Sequence, residues 1–131
     1  MADSYSPFNI FLSNDPKVEW IKLLGTVNDE FVSDLIRHED GSIVISGSTN
    51  GNFEDIDTSS IWTNKKNNGG FDSFVGKYYL SSTSRVSESR DGSLEWLDLQ
   101  GSELNDYGYS LANTNDSGIY LAGVNQNQSD N

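Results

Sequence analysis

The chain has 131 residues, which suits one domain, and it has no cysteine, which excludes disulfide bonds, thiolate zinc sites and cysteine nucleophiles. Its formal net charge of −12 repels phosphate backbones and anionic lipid, so we expect no nucleic-acid binding; the charge suits solubility, a cation or a basic partner. No signal peptide is visible at the start, and no apolar run approaches the roughly 20 residues of a membrane span, so we expect no membrane insertion.

In chain order, the sequence predicts short strands and no convincing helix, because apolar and β-branched runs alternate with Gly, Asn, Asp and Ser. The predicted strands are residues 8–13, 18–24, 31–37, 42–48, 71–78, 94–100, 107–113 and 118–124. The turns Glu-Asp-Gly-Ser and Asn-Asp-Ser-Gly predict hairpins within 31–48 and 107–124, because tight turns need positive φ. The fold class that follows is antiparallel all-β.

A constant offset, which takes Val18 to Leu94, aligns two parts of the chain without a gap, and we call it the repeat offset. Val-Glu-Trp-Ile-Lys-Leu-Leu-Gly at 18–25 aligns with Leu-Glu-Trp-Leu-Asp-Leu-Gln-Gly at 94–101, and the match continues to Gly47 and Gly123. Self-similarity at a fixed spacing is typical of repeat architectures. The sequence therefore predicts two copies of one structural unit.

The repeat extends upstream with a different offset. Phe-Asn-Ile-Phe-Leu-Ser at 8–13 resembles Phe-Asp-Ser-Phe-Val-Gly at 71–76. We therefore predict a single all-β region with repeat unit one at 8–52, a polar insertion at 53–70 and repeat unit two at 71–128. Polar insertions of this kind are thermodynamically cheap when they form surface loops.

The predicted strands are apolar or small on both faces. In the strand at 42–48, Ile43 and Ile45 point one way, and Val44 and Ser46 point the other way. A sheet with one wet face would alternate more cleanly between apolar and polar residues. The pattern favours a sheet that is buried on both faces, as in stacked propeller blades.

Four motifs resemble the bacterial seven-bladed β-propeller repeat family. They are Asn-Asn-Gly-Gly-Phe-Asp-Ser-Phe-Val-Gly-Lys-Tyr at 67–78, Asp-Gly-Ser-Leu-Glu-Trp at 91–96, Asp-Gly-Ser-Ile-Val-Ile-Ser-Gly at 40–47 and Ser-Thr-Asn-Gly-Asn-Phe at 48–53. The resemblance implies antiparallel, four-stranded propeller-type blades in two units, no fixed chemistry, and a protein that is secreted or on the cell surface. Polar insertions near 53–68 and 79–90 make the spacing longer than the family's usual unit.

Two units cannot close a ring, because propellers typically use four to eight blades. Three interpretations follow from the sequence. The chain is a piece of a larger propeller, or it closes a ring by oligomerising, for instance with three chains giving six blades. The third is a compact two-sheet, β-sandwich-like domain.

The leading functional prediction is a non-enzymatic binding or assembly module that acts through a protein partner or self-association. His38, the single histidine, aligns with Thr114 and is expected to lie exposed at a turn. The sequence contains no Gly-x-Ser-x-Gly elbow and no phosphate-binding glycine-rich loop. The enzymatic alternative is a hydrolase with an unidentified carboxylate pair. We expect insertion loops such as 53–68 to provide the contact surface.

The functional alternative is a lectin-like or calcium-dependent ligand binder. Asp55, Asp57 and Ser59 form the Asp-x-Asp-x-Ser opening of an oxygen-ligand loop, which makes calcium the one candidate cofactor. Ser60 and Lys66 stand where an EF-hand requires Gly and Glu, so an EF-hand is rejected. A looser calcium loop and a solvated polar insertion are both left open.

Three tryptophans are candidate contacts for a ligand or partner. Trp20 and Trp96 are equivalent under the repeat, and such a residue either stacks on a sugar ring or fills the core between blades. Trp62 lies in the polar insertion without a repeat partner, so it either contacts a ligand or anchors the loop.

Overall fold

A computed structural model describes residues 21–61, 63–79 and 92–126, and within them the chain is all-β and antiparallel, as predicted. The strands are β1 (Glu30–Arg37), β2 (Ile43–Thr49), β3 (Asp72–Tyr78), β4 (Leu94–Gln100), β5 (Asp106–Asn113) and β6 (Ile119–Asn125). Their bounds agree closely with the predicted ones. The predicted strand at 8–13 lies outside the described residues, and residues 21–24 of the predicted strand at 18–24 form no strand. No helix in the described ranges has the length and apolarity of a membrane span.

The strands form two antiparallel sheets, one of four strands in the order β1-β2-β3-β4 and one of two strands, β5-β6. The four-stranded sheet joins the last two predicted strands of unit one to the first two of unit two. Its hydrogen bonding therefore crosses the boundary at which the sequence repeat was divided. The remaining two strands of unit two form the second hairpin.

The two hairpins have the same geometry. The repeat offset takes the bounds of β1 and β2 onto those of β5 and β6, and it takes one pairing register onto the other. Each hairpin also has a bulge at the same place in its first strand, between Val32 and Asp34 and between Gly108 and Ser110. A bulge re-aims the strand that carries it. Each position of one hairpin can therefore be compared directly with a position of the other.

One face of the four-stranded sheet packs against the loop that follows β2, and we call it the loop face. Its core cluster consists of Ile45, Phe53, Phe74, Tyr78, Leu94, Leu97 and Leu99. The ring of Phe53 lies edge-on to Phe74 at 5.5 Å, and Phe53 is fully buried. The polar insertion is therefore not solvated throughout, because its first residue, Phe53, covers the apolar side of the sheet.

The same insertion covers the outer edge of β4. The N–H of Ser60 donates to the carbonyl oxygen of Glu95 at 2.8 Å, and the N–H of Leu99 donates to the carbonyl oxygen of Asn64 at 2.8 Å. An uncovered strand edge would expose unpaired backbone groups and invite association. The insertion therefore closes one edge of the sheet.

The opposite face of the sheet packs against the second hairpin, and we call it the hairpin face. It carries Val44, Ser46 and Ser48, which are fully buried, and β5 lies against β1, β2 and β3. A Cβ on Gly108 would lie 2.8 Å from the carbonyl oxygen of Gly47, so glycine permits the two backbones to approach closely. The four-stranded sheet is thus covered in part on each face, by Phe53 on one face and by the second hairpin on the other.

Candidate functional site

Polar contacts fix the second hairpin on the first. The carboxylate of Asp34 accepts a hydrogen bond from the N–H of Leu111 at 2.7 Å, and the amide of Asn113 donates to the carbonyl oxygen of Arg37 at 3.0 Å. The hydrogen bond from Leu111 is the main reason that the pKa of Asp34 lies below its ordinary value. The N–H of Gly108 donates to the hydroxyl oxygen of Ser48 on β2 at 3.1 Å. The two hairpins therefore have one defined relative position.

The hairpin turns also meet, and His38 lies between them. His38 is buried; its Nε2 lies 3.0 Å from the carbonyl oxygen of Ser117, and its Nδ1 lies 3.0 Å from Asp40. Ser117 Oγ donates to the carboxylate of Glu39 at 3.0 Å. The expectation of an exposed His38 is wrong, because the second turn packs over the first.

One face of the first hairpin is exposed, although the equivalent face of the second hairpin is packed against the four-stranded sheet. Leu35 and Leu111 are equivalent positions, yet Leu35 is 58% exposed and Leu111 is 7% exposed. Val32, equivalent to the buried Gly108, is also exposed. These residues point to the loop face of the sheet, beyond the part that Phe53 covers. We call Val32 and Leu35 the donor face.

The opposite face of the second hairpin is also exposed, although the equivalent face of the first hairpin is covered by the second hairpin. Tyr120 is 67% exposed, whereas its equivalent, Val44, is fully buried. Val124 and Ala122 are also exposed. We call Tyr120, Ala122 and Val124 the receiving face. These positions were not predicted from the sequence as contact residues, although the repeat offset is the signal that identifies them.

A groove of about 390 Å³ lies between the second hairpin and one end of β3 and β4. Its walls include Leu121, Gly123 and Asn125 of β6 on one side and Ser73 and Gln100 on the other. Polar and apolar groups both line it. The groove is therefore a place where a further chain segment would contact β6 and the hairpin face together.

Two acidic side chains are buried where β3 and β5 begin. One carboxylate oxygen of Asp72 accepts the N–H of Asn68 at 2.7 Å, and one of Asp106 accepts the hydroxyl of Ser102 at 2.9 Å. The other oxygen of each carboxylate, Oδ1, is buried without a hydrogen-bond partner among the described residues. Burial, with a smaller contribution from the negative charge of Asp106, raises the pKa of Asp72 above its ordinary value.

A second polar cluster centres on Lys77 of β3. Its ammonium lies 2.7 Å from the carboxylate of Asp40 and 3.2 Å from that of Glu95. Burial opposes ionisation of Asp40, but hydrogen bonds from Lys77 and Ser42 outweigh it and hold the pKa of this carboxyl well below its usual range. Burial also acts to lower the pKa of Lys77, but the two acids outweigh it and raise that pKa. Asp40 and Lys77 are therefore a charged pair at neutral pH.

The residues predicted to bind calcium are not drawn together. Asp55 and Asp57 are exposed and line different hollows. The hydroxyl of Ser59 donates to the carbonyl oxygen of Glu95 at 3.4 Å, which ties it to β4. Across residues 21–61, 63–79 and 92–126, no three His, Cys, Asp or Glu side chains cluster as a metal site would require. Calcium binding stays a prediction.

The tryptophans can be placed only in part. Trp96 lies on β4 opposite Lys77 and is partly buried, on the hairpin face of the sheet. Trp20 and Trp62 lie outside the described residues. Carbohydrate stacking by the three rings therefore stays a prediction.

A scan against protein-family models, a search of curated proteins and a search of solved structures find no match to this chain. The resemblance to the propeller repeat family therefore rests on the four sequence motifs alone.

Proposed function

We propose that the chain is a non-enzymatic assembly module that self-associates head to tail. The donor face of one copy, on its first hairpin, packs on the receiving face of another copy, on its second hairpin. The observation that carries this proposal is the contrast between Leu35, which is open, and Leu111, which is buried at the equivalent position. Exposed apolar surface of this kind is typical of interaction sites.

The packing inside one chain supports the proposal, because it is the arrangement that we expect between chains. The second hairpin presents Gly108 and Leu111 to the first, and the first hairpin presents Val32 and Leu35 at the same positions. Each copy thus has one unused face of each kind. A contact between unlike faces is heterologous, so it continues into a closed ring or an open filament.

The interface between copies is expected to be more apolar than the one within a chain. Ser48 and Ser46 of the first hairpin correspond to Val124 and Ala122 of the second. Asp34, whose carboxylate accepts a hydrogen bond from the N–H of Leu111 within one chain, corresponds to Ser110 in the second hairpin. Because each copy carries a formal net charge of −12, copies repel one another at low ionic strength. Association is therefore expected to strengthen when salt screens this repulsion.

Light scattering over a range of protein concentrations, at about 0.05 M and about 0.5 M salt, tests the proposal. We expect masses above the 14.5 kDa of one chain, with a larger assembled fraction at high salt. Leu35→Ser and Tyr120→Ser should each reduce assembly. Val27→Ser is the matched control, because Val27 is fully exposed and lies outside both faces.

Mixing the two variants separates this proposal from other modes of association. A Leu35→Ser chain retains an intact receiving face, and a Tyr120→Ser chain retains an intact donor face. Each variant alone should assemble less than the wild-type chain, and the mixture should form more dimer than either variant alone, with few larger species. A folded wild-type chain that stays a monomer at every concentration and salt level would overturn the proposal.

A further inference from the structure

β2 and β6 are equivalent strands that differ in their pairing. β2 lies between β1 and β3, whereas β6 is paired only with β5 among the described strands. The outer edge of β6 therefore presents backbone N–H and C=O groups that its equivalent uses to bind β3. An open edge of this kind is a template for the addition of another strand.

The chain contains a second segment with the sequence pattern of β3. Residues 8–13, Phe-Asn-Ile-Phe-Leu-Ser, resemble residues 71–76, Phe-Asp-Ser-Phe-Val-Gly, at both phenylalanines and at the apolar residue that follows the second. This segment lies outside the described residues. Residues 71–76 are themselves engaged by β2 and β4, so residues 8–13 are the remaining candidate in this chain for the edge of β6.

The groove beside β6 fits the second phenylalanine of that segment. In the four-stranded sheet, Phe74 lies opposite Gly47, and its ring packs so closely that a Cβ on Gly47 would lie 2.9 Å from Cζ. The equivalent of Gly47 on β6 is Gly123, which lines the groove. Gly123 also repeats the close approach of Gly47 to the preceding strand, because a Cβ on it would lie 2.2 Å from the carbonyl oxygen of Tyr107. The equivalent of Phe74 in residues 8–13 is Phe11.

We infer that the open edge of β6 is a docking site for residues 8–13 of a second copy of the chain, which add to β6 as an antiparallel strand with Phe11 in the groove over Gly123. The inference rests on the proposed head-to-tail assembly and names its second contact. A second copy is the occupant that the proposed head-to-tail assembly supplies. That assembly brings the first hairpin of one copy onto the second hairpin of another, and residues 8–13 precede the first hairpin in the chain.

The register of this added strand follows from that of β3 on β2. Ser46 lies opposite Val75. The repeat offset takes Ser46 to Ala122, and the equivalent of Val75 in residues 8–13 is Leu12. Directly opposite residues in an antiparallel pair have Cβ atoms about 4.5–5.5 Å apart, within reach of a disulfide after a small adjustment.

Disulfide trapping tests the inference. Because the sequence has no native cysteine, a disulfide can form only between the introduced cysteines. Chains carrying only Leu12→Cys and only Ala122→Cys are mixed, unfolded, refolded together and oxidised. We expect a reducible heterodimer whose cross-linked peptide joins positions 12 and 122 by mass spectrometry. Ser13→Cys mixed with Ala122→Cys is the matched control, because one residue further along a strand the side chain points to the other face. It should give several-fold less cross-link.

The outcomes separate this inference from the proposed function. A wild-type oligomer with equal cross-linking of positions 12 and 13 would overturn the added strand and leave head-to-tail assembly intact. A monomeric, internally cross-linked chain that carries both Leu12→Cys and Ala122→Cys, with no heterodimer in the mixture, would show that the occupant is the same copy and overturn the inference. Loss of assembly in Phe11→Ser, with an unchanged circular dichroism spectrum, would support the inference.

Discussion

The backbone of Ser117 has a φ of 65°, at the turn position where Gly41 of the first hairpin has a φ of 87°. Both residues occupy the left-handed region that glycine enters without a steric penalty and other residues avoid. The second turn therefore keeps the geometry of the first without its glycine. The turn is held by other contacts, among them the close approach of His38 to the carbonyl oxygen of Ser117.

Ser117→Gly should stabilise the chain by about 0.5–1 kcal/mol, because relief of the left-handed penalty outweighs the greater unfolded-state entropy of glycine. Urea unfolding followed by tryptophan fluorescence measures the change as a higher midpoint. Gly41→Ser is the reciprocal control and should destabilise by a similar amount. A lower midpoint for Ser117→Gly would show that the hydrogen bond from Ser117 Oγ to Glu39 outweighs the backbone strain.

The strands could be predicted from the sequence, because alternation and turn residues are local signals. Their grouping into sheets could not, because the repeat offset relates equivalent strands and does not say which strands form hydrogen bonds. The division at 53–70 separated β2 from β3, which are direct neighbours in the sheet. The burial of a side chain could not be predicted from the sequence either where it depends on packing between the two hairpins. His38 follows a strand next to a turn, and it is buried where the second turn packs over the first.

The candidate surface was missed for a related reason. Leu35 and Leu111 are the same residue type in the same repeat position, so the sequence predicts the same environment for both. Their burial differs because the two hairpins pack against each other through unlike faces. Leu111 lies on the face of the second hairpin that is in this contact, and Leu35 lies on the face of the first hairpin that is not. The buried acids Asp72 and Asp106 were missed as well, because acidic residues at strand starts usually remain in solvent.

Asp72→Asn should stabilise the chain at pH 7 by about 1 kcal/mol, because a buried carboxylate with one unpartnered oxygen is costly. The pKa of Asp72 is raised in the folded state, so its contribution favours folding below the ordinary pKa and is lost as pH rises through the folded value. The advantage of the variant should therefore disappear below about pH 4. Urea midpoints between about pH 3 and about pH 8 measure this, with the exposed Asp29→Asn as control. A variant that is less stable at pH 7 would contradict the prediction.

Asp40→Asn should show the opposite pH dependence. Because the pKa of Asp40 is lowered in the folded state, its contribution is present above the ordinary pKa of 3.8 and is lost as pH falls through the lower folded value. We expect a loss of about 1 kcal/mol at pH 7, since the half-exposed pair with Lys77 is screened by solvent and weakens further in about 1 M salt. Urea midpoints at two salt concentrations measure this.

The matched control for Asp40 is Asp116→Asn, at the equivalent position of the second hairpin. Asp116 accepts a hydrogen bond from the hydroxyl of Thr114, and no ion pair to it is found within the described ranges. Its substitution should therefore change stability with little dependence on salt. Equal salt dependence of the two variants would contradict the assignment of the Asp40 contribution to the ion pair with Lys77.

Leu111→Ala and Leu35→Ala should differ sharply in stability, although they change the same residue at equivalent positions. Leu111 is buried between the hairpins, so its truncation should cost about 2–4 kcal/mol through lost burial and a residual cavity. Leu35 is open in a single chain, so its truncation should cost less than about 0.5 kcal/mol when unfolding is measured at concentrations where the chain is monomeric. If head-to-tail assembly covers Leu35, the cost of Leu35→Ala should rise with protein concentration, because association stabilises the folded chain by mass action. A cost for Leu35→Ala that equals that of Leu111→Ala in the monomer would mean that the donor face is already covered within one chain.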